Sequence, residues 1–155
     1  MGLEGFAPMV WEPACGGGHI SGVLKAHGYG VRESDIVDRI GNEVLDFMGE
    51  DVEPGCWDGD IITNPPYAIA AEFVERALDA VQPGAKVAMF LKLTFLESAK
   101  RRRLFDRYPP RRVWVSRSRL RCWKNGVPSR EALIAYAWFV WLKGWQGAPE
   151  LGWFN

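Results

Sequence analysis

Apolar and polar positions along the chain recur in two different periods. Short apolar runs at Met9-Val10-Trp11, 30–34, 60–63 and 86–91 read as strands, and Glu12-Pro13, Asp35 and Asn64-Pro65 close the first three. Between them the spacing lengthens to that of helices. Ile20, Val23 and Leu24 share one face after Gly16-Gly17-Gly18, until Gly28 and Gly30 stop the run. Ile69, Phe73, Ala77, Leu78 and Val81 do the same over 68–81, which Pro83-Gly84 ends. Residues 36–41 hold at most a stub of helix. Residues 97–108 predict a basic helix ended by Pro109-Pro110. The β-rich runs 112–116 and 132–142 have no helix between them, so they are expected to pair antiparallel at a sheet edge. Alternation of this kind predicts an α/β domain with a mostly parallel twisted sheet. In such sheets ligands sit beyond the carboxyl ends of the strands, where strand order reverses.

Three segments follow strands directly and can share that crevice. The glycine turn 16–18 lets backbone approach a ligand closely, and Asp35, after the second strand, has the chemistry to accept both hydroxyls of a ribose. The spacing from Gly16 to Asp35 is 19 residues, near that of a dinucleotide fold, but Gly18 is followed by His-Ile-Ser and G-x-G-x-x-G is not met. By itself such a turn is more often a plain loop than a site. Asn64-Pro65-Pro66-Tyr67 is more informative. An exocyclic amine conjugated to a ring is a poor nucleophile because its lone pair is delocalised. Two acceptors set against its two hydrogens, the Asn64 amide oxygen and the Pro65 carbonyl, favour a tetrahedral nitrogen ready to attack. The adjacent prolines hold the carbonyl in one direction, and Tyr67 offers a flat face for the ring. The structural alternative is a proline turn with a buried tyrosine.

Composition narrows the choice further. The chain has 155 residues, 48% of them apolar and 25% charged, which fits one soluble domain. Its longest apolar run, 132–142, is eleven residues, well short of the ~20 that span a bilayer. The first residues lack the basic and apolar regions of a secretory signal, so a cytoplasmic protein is expected. Cys15, Cys56 and Cys122 form no C-x-x-C pair and read as free thiols, and His19 and His27 lack further ligands at metal spacing. No metal site is expected. The formal charge of zero is a cancellation: residues 1–99 carry 6 Lys/Arg against 16 Asp/Glu, whereas residues 100–130 carry 12 against 1. Such a basic block suits phosphate contacts, or a solvated helix face and loop.

Glu12-Pro-Ala-Cys-Gly-Gly-Gly resembles the first motif of S-adenosylmethionine-dependent amino-methyltransferases, usually Asp-Pro-Ala-Cys-Gly-x-Gly, and Asn64-Pro-Pro-Tyr is similar to their catalytic motif. More narrowly, the chain resembles the small phage and prophage-type enzymes. Their Phe-Leu-Glu followed by Arg is matched by Phe95-Leu96-Glu97 and Arg101, Arg102 and Arg103. Their last strand is matched by Tyr136 to Trp141, and their closing Gly-x-Pro and Trp by Gly147-Ala-Pro149 and Trp153. The likeness runs over nearly the whole chain. It implies a Rossmann-like class I methyltransferase fold with an antiparallel carboxyl-terminal edge strand, as one domain over 1–155 with no separate target-recognition domain.

The resemblance also implies a set of site residues. Glu12, Ala14, Gly16 and Gly18 would surround the methionine part of S-adenosylmethionine. Asp35 would take the ribose, Ile36 would pack on the adenine, and Asp46 and Phe47 would meet the adenine edge. Asn64, Pro65, Pro66 and Tyr67 would hold the target amine. Arg101, Arg102, Arg103, Arg117, Arg119, Arg121 and Lys124 would contact nucleic acid, with Trp123 stacking on an extruded base or packing. Two departures stand out: Glu12 replaces the commoner Asp, and the segment before the first strand is only 1–8, with Phe6 its one aromatic. The expected activity is methyl transfer to a nucleobase amine, adenine N6 in DNA, in a bacterial or phage-infected cell, with a protein partner or a second copy supplying target recognition. The alternatives are the same chemistry on RNA or a protein glutamine, and an idle nucleic-acid-binding subunit.

Overall fold

The computed structural model describes residues 2–118 and 134–155. Strands β1 (Met9–Glu12), β2 (Gly30–Asp35), β3 (Glu43–Val44), β4 (Asp60–Thr63), β5 (Lys86–Lys92), β6 (Arg112–Ser116), β7 (Tyr136–Leu142) and β8 (Glu150–Phe154) form one sheet in the order β3-β2-β1-β4-β5-β7-β6-β8. The first five are mutually parallel, and β7 runs antiparallel to both its neighbours, β5 and β6. Strand order reverses between β1 and β4, so the turns leaving these two strands face each other across a crevice.

Helix α1 (His19–Ala26) covers one face of the sheet, over a small cluster of Val10, Leu24, Ile62, Ala88 and Val140. The other face carries the main core, in which α2 (Ala70–Ala80) buries Phe73, Val74, Ala77 and Leu78 against Trp11, Ile61, Val87 and Met89. The amino-terminal segment straps the α1 face. Its Glu4 is paired with Lys86 and Arg112 and accepts from the Trp114 indole, while Asp60 accepts from the Ala7 amide. These contacts tie β4, β5 and β6 together at the end of the sheet away from the crevice.

Several expectations are corrected. The antiparallel run 136–142 is not an edge: it lies between β5 and β6, and the edge is β8, parallel to β6. The basic helix expected over 97–108 shrinks to α3 (Arg102–Arg107), preceded by two single 3₁₀ turns, Leu93–Leu96 and Ala99–Arg101. The cause is local, because Ser98 takes φ 121 and breaks any continuous helix there. In α1, Val23 points outward at 50% exposure and the buried positions are Ser21 and Leu24. The helix expected over 68–81 is present, its first turn tightened to 3₁₀ over Tyr67–Ile69.

Candidate methyl-transfer site

The turn leaving β1 is built on two glycines with positive φ, Gly16 at 52° and Gly18 at 74°. A side chain at Gly18 would stand 2.9 Å from Cδ1 of Ile40, so the turn fits closely beneath the segment after β2, whereas the space about Gly16 is open. The Cys15 amide donates to the Ser34 carbonyl at 3.0 Å, and the Gly16 amide to Oδ2 of Asp35 at 2.9 Å. The glycine turn is thus pinned to the end of β2. Asp35 is also engaged through Oδ1, which accepts from the Val37 amide (3.2 Å) and from Arg39 (3.0 Å). A ribose reaching Asp35 would share that oxygen with Arg39 or displace it.

Glu12, the last residue of β1, is 1% exposed, and its Oε2 has no hydrogen-bond partner among the described residues; nor has the Oγ of buried Ser21 beside it. Burial pushes the Glu12 carboxyl up to about 8, and Glu33 and Asp35 add repulsion while Ser21 pulls the other way. Cys15 is buried in the same turn, and burial followed by the charge of Glu12 raises its thiol to about 11. It is no nucleophile at neutral pH. A buried, orphaned carboxyl behind an open glycine turn fits a ligand that brings a positive charge, as S-adenosylmethionine does through its ammonium and sulfonium groups.

At the facing strand end, β4 delivers Asn64-Pro65-Pro66-Tyr67. Asn64 is exposed and no partner holds its carboxamide among the described residues, while Pro65 is buried and fixes the turn. Tyr67 is 37% exposed, with Lys92 Nζ 5.4 Å from its ring centre. Sequence reasoning passed over the surroundings of Tyr67: Tyr136 lies 6.2 Å away, Phe90 stacks on Tyr136 at 5.1 Å, and Trp138 follows at 5.2 Å from Phe90. The signal was the alternation within β5 and β7, which places Phe90, Lys92, Tyr136 and Trp138 on one face.

The crevice therefore gathers Glu12, Ala14, Gly16, Gly18 and Asp35 from one side and the tetrapeptide from the other. Ile36 stands open at 67% exposure next to Asp35. Asp46 is exposed, its Oδ1 accepting from the Met48 amide, but Phe47 is a correction. Its ring is 2% exposed and packs edge-on to Trp11 (5.1 Å) and against Phe73 (4.7 Å), so the core takes it from any adenine edge. Arg101 is a second correction. Its guanidinium donates to the carbonyls of Phe95, Thr94 and Glu97 and lies over the Phe95 ring, so it caps the 3₁₀ turn instead of facing a phosphate. Arg102 pairs with Asp106 at 3.4 Å, and Arg103 and Arg117 are exposed. Arg119, Arg121, Trp123 and Lys124, with Cys122, lie outside the described residues. Among the described residues no group of His, Cys, Asp and Glu could hold a metal, and no helix is long and apolar enough to cross a membrane.

Solved structures share this architecture. The chain is similar to a class I S-adenosylmethionine-dependent methyltransferase from Listeria monocytogenes, with TM-score 0.59 and 13% identity over 95% of this chain and 58% of that one. It is also similar to a Burkholderia thailandensis 1,6-didemethyltoxoflavin N1-methyltransferase with bound S-adenosylhomocysteine, with TM-score 0.58 and 13% identity over 87% of this chain and 70% of that one. A TehB-like S-adenosylmethionine-dependent methyltransferase from Corynebacterium glutamicum matches with TM-score 0.57 and 14% identity, over 92% of this chain and 83% of that one. The chain spans little more than half the length of the Listeria protein. Neither a protein-family model nor a curated protein sequence matches it. The fold is the Rossmann-like fold of class I methyltransferases.

Proposed function

We propose that the chain transfers a methyl group from S-adenosylmethionine to an exocyclic amine of a nucleobase, adenine N6 in DNA. The observation that carries this reading is the exposed Asn64 carboxamide, set beside a proline-fixed turn at the strand end facing the Gly16 to Gly18 turn. When bound, the cofactor supplies an electrophilic methyl on a positively charged sulfur. The chain's own residues do the rest. Gly16 and Gly18 let backbone lie against the donor, the buried Glu12 carboxyl, largely protonated at neutral pH in the free chain, gives up its proton against the donor's positive charge, and Asp35 accepts from the ribose. Asn64 Oδ1 and the Pro65 carbonyl each accept one amine hydrogen, which draws the nitrogen lone pair out of conjugation, and Tyr67 holds the ring by stacking. The N–C bond would form as the S–C bond breaks, the electron pair staying on sulfur to leave neutral S-adenosylhomocysteine, and the surplus proton on nitrogen would pass to water, so no ionisable base is required. Exposed Arg103 and Arg117, in the basic part of the chain, provide cations for the phosphate backbone.

The test is incubation with methyl-labelled S-adenosylmethionine and, separately, unmodified DNA, RNA and a glutamine-containing peptide. Label in DNA, recovered as N6-methyl-2′-deoxyadenosine by mass spectrometry, is the expected result. Label confined to RNA or to peptide overturns the DNA assignment and keeps the amine chemistry. No label on any of the three, with cofactor bound, overturns the activity.

A further inference from the structure

Thr63 of β4 pairs with Met89 of β5, so the residues that follow, Asn64 and Phe90, stand at the same height. Phe90 in turn faces Trp138 across β7, and Lys92 faces Tyr136. The result is an unbroken aromatic row that starts at Tyr67 and crosses two strands, with ring centres 6.2, 5.1 and 5.2 Å apart. Phe90 and Tyr136 are nearly parallel, at 14°.

The row is more open than the aromatics of the opposite face, although Trp138 also packs against the cluster of Val10, Leu24, Ile62, Ala88 and Val140. On the opposite face, Trp11, Phe47, Phe73, Phe139 and Trp141 are all but sealed. In the row only Tyr136 is buried, while Tyr67, Phe90 and Trp138 each keep part of their surface open. The row also carries a cation. Lys92 lies over Tyr67, and no carboxylate pairs with it among the described residues. Partly exposed aromatic rings in series beside a cation are the chemistry that tracks a single nucleic-acid strand, where successive bases stack and the backbone meets positive charge.

We propose that Phe90 and Trp138 form a second stacking subsite, which takes the base adjacent to the target while the target itself lies on Tyr67 with its amine at Asn64. Lys92 faces the phosphate that joins the two nucleotides. The substrate class is therefore a single strand, or a strand opened over at least two nucleotides. This inference rests on the nucleobase reading above and narrows it.

The experiment compares short single-stranded DNA oligonucleotides that contain one adenine and differ only in whether the neighbouring position, on each side in turn, carries a base or is abasic. The readout is kcat/KM for methyl incorporation. The neighbouring base on one side is expected to raise it about tenfold, the size of one base–aromatic stacking contact. Trp138→Leu and Phe90→Leu should each pull that ratio towards one, as a circular-dichroism melt confirms that the variants fold. Equal kcat/KM on the two oligonucleotides with the unaltered protein overturns the subsite and leaves the nucleobase reading standing. A ratio that survives both substitutions also overturns it. Methyl transfer to neither oligonucleotide, with S-adenosylmethionine binding seen by calorimetry, overturns the subsite, and absence of label from duplex DNA and from RNA as well overturns the nucleobase reading.

Discussion

Glu12 shows how one residue can be set by its burial. Its carboxyl is raised from 4.5 to about 8, first by burial and then by Glu33 and Asp35. Between those two values the folded chain binds a proton that the unfolded chain does not, so this residue's contribution to stability falls as pH climbs from 4.5 through 8. Glu12→Gln removes that dependence. The variant should melt higher than the parent at pH 9, and the gap should close at pH 4; a gap independent of pH would contradict the assignment. Asp35 braces the Gly16 amide, and in the proposed reading it also accepts from the ribose. Asp35→Ala should therefore weaken S-adenosylmethionine binding about tenfold or more in calorimetry, the scale of a lost charged hydrogen bond. Unchanged affinity would remove Asp35 from the site. At this scale the turn at Asn64-Pro65-Pro66 after β4 was legible, because prolines end a strand by local geometry. Phe47 was not, since an aromatic beside an acidic residue reads the same whether its ring lines a mouth or fills a core.

Among elements, β1, β2, β4, β5, β6, β7 and α2 followed from period and punctuation, whereas β3, β8 and the segment 93–107 did not. Arg101 looked like one member of a basic helix face, but three main-chain carbonyls claim it. Ser98 at φ 121 is invisible to any periodicity argument. Arg101→Ala should lower the melting temperature, with a cost of about 1–3 kcal/mol for the carbonyls left uncapped. Arg103→Ala should leave the melting temperature in place and reduce the salt slope of DNA binding by about one. If the two variants exchange these effects, the division between capping and contacting arginines is wrong. Strand β8 escaped for a related reason. Leu151 and Trp153 are more than half exposed, so the run carries no buried face to betray it. The partner strand β6 supplies its order through main-chain pairing.

For the molecule as a whole, the sheet order places a glycine turn and an Asn-Pro-Pro-Tyr turn on facing strand ends, and that placement matters more than either motif alone. The charge follows a similar logic. Residues 1–99 carry 6 Lys/Arg against 16 Asp/Glu and residues 100–130 carry 12 against 1, so the formal net charge of zero hides a basic stretch of sequence. Binding to DNA should accordingly weaken steeply as salt rises, as fluorescence anisotropy would register; a flat salt response would favour a peptide substrate instead. The measurement that bears most directly on the central claim pairs mass spectrometry of nucleosides from DNA incubated with S-adenosylmethionine with calorimetry of cofactor binding, for the parent chain and for Asn64→Ala. The account predicts N6-methyladenine with the parent, at least a hundredfold less with the variant, and cofactor affinity within about twofold between them, as expected for a group acting only on the reacting amine. Methylation that persists in Asn64→Ala would contradict it.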